Sequence, residues 1–326
     1  MTQISREKID LAVAEVYLQQ PDTINLSDYS KIDTRGARHL ASHVEENFLL
    51  LGIREIDFDT ARELKKFNGR ISVPKLDKFD DQTAELIASF PYPVICNTRD
   101  GGEKIGKFLG TLKEEKTAPL LENAIKTGVI HTSCYLTVTP EACEKIISVV
   151  NPVVFAQLRT LDPDCAKILA SKKNLTFLNL NQIPSDTARL LLAKDCTSLD
   201  LSCLQEVSEQ LLQILLSPNI EFLELNGVTV LSDQLAQVFS TRKTPIFLSL
   251  NGVRAISTEQ AQRLMQCGLP SPSTGTLSLN GIGEISPNLA EIFLQYQGMH
   301  LSLNKDAICD AHTKATLASN SKIRFQ

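Results

Sequence analysis

Tryptophan is absent from the 326 residues, and aromatic residues make up only 6% of them. That removes most of the stacking platforms on which proteins hold nucleic-acid bases. Runs rich in Lys or Arg are missing as well, and the formal net charge is −5. Neither nucleic acid nor anionic lipid is therefore expected as a partner. No stretch approaches the roughly 18 consecutive apolar residues of a membrane span. The opening, MTQISREKIDLAVAEVYLQQ, lacks a basic cap, an apolar block and a small-residue cleavage site, so no secretory signal is read there and a cytoplasmic setting is expected.

Signatures of chemistry are equally scarce. The eight cysteines, Cys96, Cys134, Cys143, Cys165, Cys196, Cys203, Cys267 and Cys309, form no C-x-x-C pair. Buried free thiols in a reducing compartment are expected, with no zinc site or redox motif. His39 and His43 sit four apart on a predicted helix, but nothing nearby completes a metal site. There is no G-x-S-x-G elbow. Gly101 to Lys107 matches G-x-x-x-x-G-K, yet Phe108 stands where a phosphate loop needs Ser or Thr for Mg²⁺. No cofactor, metal or catalytic residue is expected. The alternative is an enzyme or nucleotide-binding protein with its site in the segment 97–129.

What the sequence has is a repeat. LELNGVTVLSDQLAQVF from Leu223, LSLNGVRAISTEQAQRL from Leu248 and LSLNGIGEISPNLAEIF from Leu277 align without gaps. With the first Leu as zero, apolar residues fall at 0, 2, 5, 8 and 16, Ser at 9 and Ala at 13. The template also fits from Ile24, Phe48, Ile71, Ile130, Val153, Leu175 and Leu199, mostly in steps of 22 to 25 residues. Positions 0 and 2 point the same way and predict a short strand with one buried face. Position 9 is Asp33, Asp57, Asp80, Thr139, Asp162, Ser208, Ser232, Ser257 or Ser286, all helix N-cap types. Ser257 and Gln260 form a possible capping box. A helix follows, with small Ala where it packs on the strand layer. One such unit cannot bury its own apolar face, so units must stack, with parallel strands inside and wider helices outside.

The run Ile220-x-x-Leu223-x-Leu225-x-x-Val228-x-x-Leu231-Ser232-Asp233 resembles the leucine-rich-repeat family, in a shortened form similar to bacterial members and to the cysteine-containing subtype, with Val228 at the Cys position. The resemblance implies an α/β solenoid whose curved parallel sheet lies on the concave side and whose helices lie on the convex side. It also implies a protein-binding scaffold, and among bacterial members an effector delivered into host cells without a cleaved signal. The organisation expected is an N-terminal capping helix at 1–22, repeats at 23–304, and a C-terminal cap at 305–326. Within the repeats, 97–129 is one irregular unit or two damaged ones, and 267–276 is a loop insert.

A partner is expected on the concave face, at positions −1, 1 and 3. Apolar residues there suggest a covered site: Ile95, Val154, Ala156 and Leu178, with Phe222 and Phe247 at −1, and Leu49 and Leu51 near the N-terminus. Asp200 and Glu224 are acidic neighbours. Ser249, Ser278 and Ser302 make a bland polar surface further on. Asn226, Asn251, Asn280 and Asn304 share position 3, either as a structural ladder or as ligand contacts. The partner is a protein, and the chain is expected to be a monomer.

Overall fold

The computed structural model describes residues 7–44, 48–92, 94–132, 134–267 and 275–326. The chain divides into two compact units, Met1–Arg159 and Thr160–Gln326. The first begins with β1 (Lys8–Ile9), α1 (Leu11–Gln19), β2 (Lys31–Ile32), α2 (Thr34–His43), β3 (Phe48–Leu50), α3 (Phe58–Leu64), β4 (Arg70–Ser72) and α4 (Asp81–Ala88). It continues with α5 (Arg99–Leu109), β5 (Thr111–Leu112), α6 (Ala118–Thr127), β6 (Ile130–His131), β7 (Thr137–Val138), α7 (Pro140–Ile147) and β8 (Val153–Phe155). The pairs β1–β2, β3–β4, β5–β7 and β6–β8 are all parallel.

The second unit is more regular. It comprises α8 (Pro163–Leu169), β9 (Asn174–Phe177), α9 (Ser185–Leu191), β10 (Ser198–Asp200), α10 (Glu209–Leu215), β11 (Phe222–Glu224) and α11 (Asp233–Ser240). There follow β12 (Phe247–Ser249), α12 (Thr258–Met265), β13 (Thr276–Leu279), α13 (Pro287–Leu294), β14 (His300–Leu303), α14 (Ala311–Ala318) and β15 (Ile323–Phe325). From β9 to β15 each strand pairs in parallel with the next in the chain. The register puts template position zero on position zero: Leu199 opposite Leu223, Leu223 opposite Leu248, Leu248 opposite Leu277. Short parallel strands, each followed by a capped helix and a return, make this an α/β fold of the leucine-rich-repeat type.

The residue pattern accounts for each part of the unit. Leu223, Leu225, Leu248, Leu250, Leu277 and Leu279 are buried, while the residues between them lie on the opposite sheet face. All nine expected caps accept a hydrogen bond from a first-turn backbone N–H of the helix they precede. Such a cap contributes about 1 kcal/mol. Ser257 and Gln260 form the full capping box. Pro184, which breaks the pattern, heads α9 without a side-chain cap. The small residues of position 13, such as Ala61, Ala166, Ala188, Ala236 and Ala261, are completely buried. Cys143, at the same position, is buried too, as is Cys96 at position 2.

The structure departs from the expectation in several places. At the N-terminal end, Asp10 caps α1 as Asp33 caps α2, and Ile9 pairs with Ile32. At the C-terminal end, Asp310 caps α14, Leu317 is buried and Ile323 pairs with Leu301. The segments read as caps thus carry the helix half of the unit itself. Ile24 starts no strand; single 3-10 turns at Pro21–Thr23 and Leu26–Asp28 stand there. The loop insert at 267–276 lies mostly outside the described residues.

A frame slip occurs at β3. Leu49 pairs with Ile71, and Leu49 and Leu51 are buried, whereas Phe48 and Leu50 are 36% and 41% exposed. Position zero is therefore Leu49, because the path from strand to the Asp57 cap is one residue shorter here. A slip of one residue exchanges the two faces of a strand.

The irregular segment is a single unit with an inserted helix. Ile95 bridges to Ser72, with Val94 and Cys96 buried on either side. α5 then stands where other units have a short turn, and β5 and α6 complete the unit. Two glycines let α5 lie close to its neighbours. A Cβ on Gly101 would come within 2.1 Å of the Leu76 carbonyl oxygen, and one on Gly106 within 2.5 Å of that of Cys134.

Candidate protein-binding face

In Thr160–Gln326 the outward rows of the sheet are set by strand register. Phe222 on β11 stands beside Phe247 on β12, their rings 5.6 Å apart and tilted by 34°. Phe222 is 48% exposed, and Phe247 is half-buried. Two residues along each strand, Asp200 on β10 stands opposite Glu224 on β11. Both are half-buried. Asp200 Oδ1 accepts the Ser202 amide at 2.9 Å, and Glu224 Oε2 accepts Asn226 Nδ2 at 3.0 Å. Burial pushes the Glu224 carboxyl above its ordinary range, and the charge of Asp200 adds to that push. Leu178, just past β9, is half-buried on the same unit.

The Asn row is hydrogen-bonded as a structural ladder, one of the two readings its recurrence allowed. Asn226 Oδ1 accepts Ser249 Oγ at 2.6 Å and the Asn251 amide at 2.9 Å, and its Nδ2 donates to Ser202 Oγ and Glu224. Asn251 repeats the motif one unit on, with Ser278 Oγ at 2.8 Å and the Asn280 amide at 2.9 Å. Asn280 accepts Ser302 Oγ at 3.0 Å. Asn304 closes the row by accepting the Asp306 amide and donating to the Ile282 carbonyl. These side chains spend their hydrogen bonds on their own strand exit and on the neighbouring repeats. Gly252 belongs to the same device: a Cβ there would meet the Asn226 carbonyl oxygen at 2.0 Å. Ser249, Ser278 and Ser302 are buried rungs of the ladder, not an open polar surface.

Two further residues expected outside are inside, both in Met1–Arg159. Ala156 is completely buried. Its neighbour Gln157 donates to the Cys96 and Thr98 carbonyls and lies against Gly102 of the inserted helix. Ile95 is 9% exposed. Buried Arg70 donates from β4 to the His131 carbonyl in β6, at 2.8 Å. Val154 is half-buried on β8. Neither Ile95 nor Ala156 presents a surface to a partner.

The groups that might do chemistry are locked in the same unit. Burial and the Arg70 charge push the His131 imidazole down to about 3, which keeps it neutral at ordinary pH. Cys134 Sγ lies 3.5 Å from the Val94 carbonyl oxygen and 3.9 Å from that of Cys96. Its hydrogen bond with the Cys96 thiol, together with burial, pushes it up, so it is a thiol and not a thiolate. The G-x-x-x-x-G-K match falls within α5, where the amides bond along the helix, as in Gly102 N to Thr98 O at 2.9 Å. A phosphate cradle needs those amides in a loop ahead of the helix. Among the described residues no group of three or more His, Cys, Asp or Glu is placed to hold a metal. No helix among them is long and apolar enough to cross a membrane.

The sequence reading missed His300 and Arg324. Both sit on the outward side of the β9–β15 sheet at its far end, with Arg324 Nη2 2.9 Å from His300 Nε2. The alternation Ile323-x-Phe325 is the sequence mark of this further strand, in a stretch expected to be a cap.

No protein-family model matches the chain, and no curated protein does. Among solved structures it is similar to one described as the Rad7 and Elc1 complex in yeast, with 14% identity, 91% of this chain and 72% of that one covered, and a TM-score of 0.37. It is also similar to an internalin (inlF) from Listeria monocytogenes str. 4b F2365, with 13% identity, 92% and 82% covered, and a TM-score of 0.36. Likenesses this slight add nothing to the functional argument. The fold class rests on the repeat and its strand register.

Proposed function

We propose that this protein is a non-catalytic interaction scaffold that receives a protein partner on the outward sheet face of Thr160–Gln326. One observation carries the reading. Phe222 and Phe247 form an aromatic pair in the middle of a sheet face, the first of them half exposed, outside the inward set that holds the fold. Interfaces concentrate their energy in a few such anchors. Exposed aromatic surface in a soluble setting is otherwise a liability. A reducing, cytoplasmic setting suits the mostly buried free thiols.

The test is affinity capture from cell extract with the wild-type chain and with Phe222→Asp, Phe247→Asp, both first compared by circular dichroism and melting. The double variant is expected to fold and to lose the proteins that the wild type retains. Retention of the same proteins by a folded double variant would move the partner to another surface. Unfolding of the double variant would make the rings part of the core and remove the reading's basis.

A further inference from the structure

The face around the Phe pair is polarised, and that polarity specifies the partner's chemistry. Asp200 and Glu224 are directly opposite each other on neighbouring strands, about 4.8 Å apart by strand spacing. Like charges in that relation are unfavourable, and half-burial weakens the screening that water would supply. The ion pairs among the described residues include neither carboxylate. Each makes a local hydrogen bond with one oxygen, which leaves acceptor capacity on both. The rings of Phe222 and Phe247 lie in the adjoining row of the same face, and aromatic faces attract cations as well as apolar groups. At the other end of the sheet, four strand spacings or about 19 Å beyond β11, stand Arg324 and its neighbour His300. An anionic partner would be drawn there, away from the Phe pair; a cationic one is drawn to the carboxylates beside it.

We infer that the docking segment of the partner is a basic protein segment, with an Arg or Lys over Asp200 and Glu224 and an adjacent apolar side chain on Phe222 and Phe247. The inference rests on the proposed function and adds the partner's charge to it. The cation would relieve the repulsion that the free face bears, and Arg would do so with two hydrogen bonds at once.

The probe is a phage-displayed library of random dodecapeptides panned on the full chain. Enriched peptides are resynthesised and titrated by fluorescence anisotropy against wild type, Asp200→Asn with Glu224→Gln, and Phe222→Asp with Phe247→Asp. The first variant removes charge without adding bulk, so it is expected to melt no lower than wild type. Enriched peptides should carry Arg or Lys beside an apolar residue, and should bind both variants at least tenfold more weakly. Peptides that need the Phe pair but bind the neutralised variant as well as wild type, or that are acidic, would overturn the inference and leave the site standing. Peptides indifferent to both variants would overturn the inference and the site together. A library that yields no enriched sequence would overturn the inference, since a short basic segment is then not what the face recognises.

Discussion

Asn251 illustrates how a residue visible in sequence acquires its role only in three dimensions. The recurrence of L-x-L-N-G marks it as special, but does not say whether its amide serves a ligand or the fold. Its oxygen accepts Ser278 Oγ and the Asn280 amide of the next unit, so its removal strands a backbone donor and a hydroxyl. Asn251→Ala is expected to cost about 1–3 kcal/mol, read as a fall in urea midpoint at unchanged slope. An unchanged midpoint would return the row to the ligand-contact reading. Glu224 behaves in the opposite sense. Its carboxyl is held above its ordinary range by burial and by Asp200, so the folded state binds its proton more tightly than the unfolded chain does. Stability from this group is present at acid pH and is lost as pH rises through the raised value. Glu224→Gln should therefore raise the Tm at pH 7, with the gain vanishing below about pH 4, where the carboxyl is protonated in both states. A lower Tm at pH 7 would show that the carboxylate is compensated in a way the structure does not contain.

Among the elements, the helices were the most legible, because an N-cap side chain and a small residue four positions later leave a mark that tertiary context does not erase. Strands were harder. β3 has three consecutive large apolar residues, Phe48, Leu49 and Leu50, and alternation cannot choose a frame in such a run. Only the register against β4 decides it. α5 was harder still, since nothing in an isolated unit announces a helix inserted into its turn. Its glycines match a phosphate-loop spacing without the Ser or Thr that follows it, because close helix packing and close ligand approach ask for the same absent Cβ. Gly101 separates the two demands. In an exposed helix Gly→Ala gains about 0.5–1 kcal/mol. Here the new methyl would strike the Leu76 carbonyl oxygen, so Gly101→Ala is expected to lower the Tm. A raised Tm would mean that α5 does not pack as described.

At the level of the whole molecule, the stacking of strand–helix units was legible because ten copies of one template average out local noise. Its surface was not, since outward positions are under no common constraint. Phe222 is 48% exposed and Phe247 half-buried, whereas Ile95 and Ala156 are buried, a difference that the repeat template does not encode. The central claim is that a protein partner docks on the outward sheet face of Thr160–Gln326. Site-specific photocrosslinking tests it most directly. A benzophenone amino acid is placed at Phe247, or at exposed Gln213 on α10, and the full chain is irradiated in cell extract. The account predicts a discrete protein adduct from position 247 that position 213 does not give. An adduct from position 213 alone would contradict it.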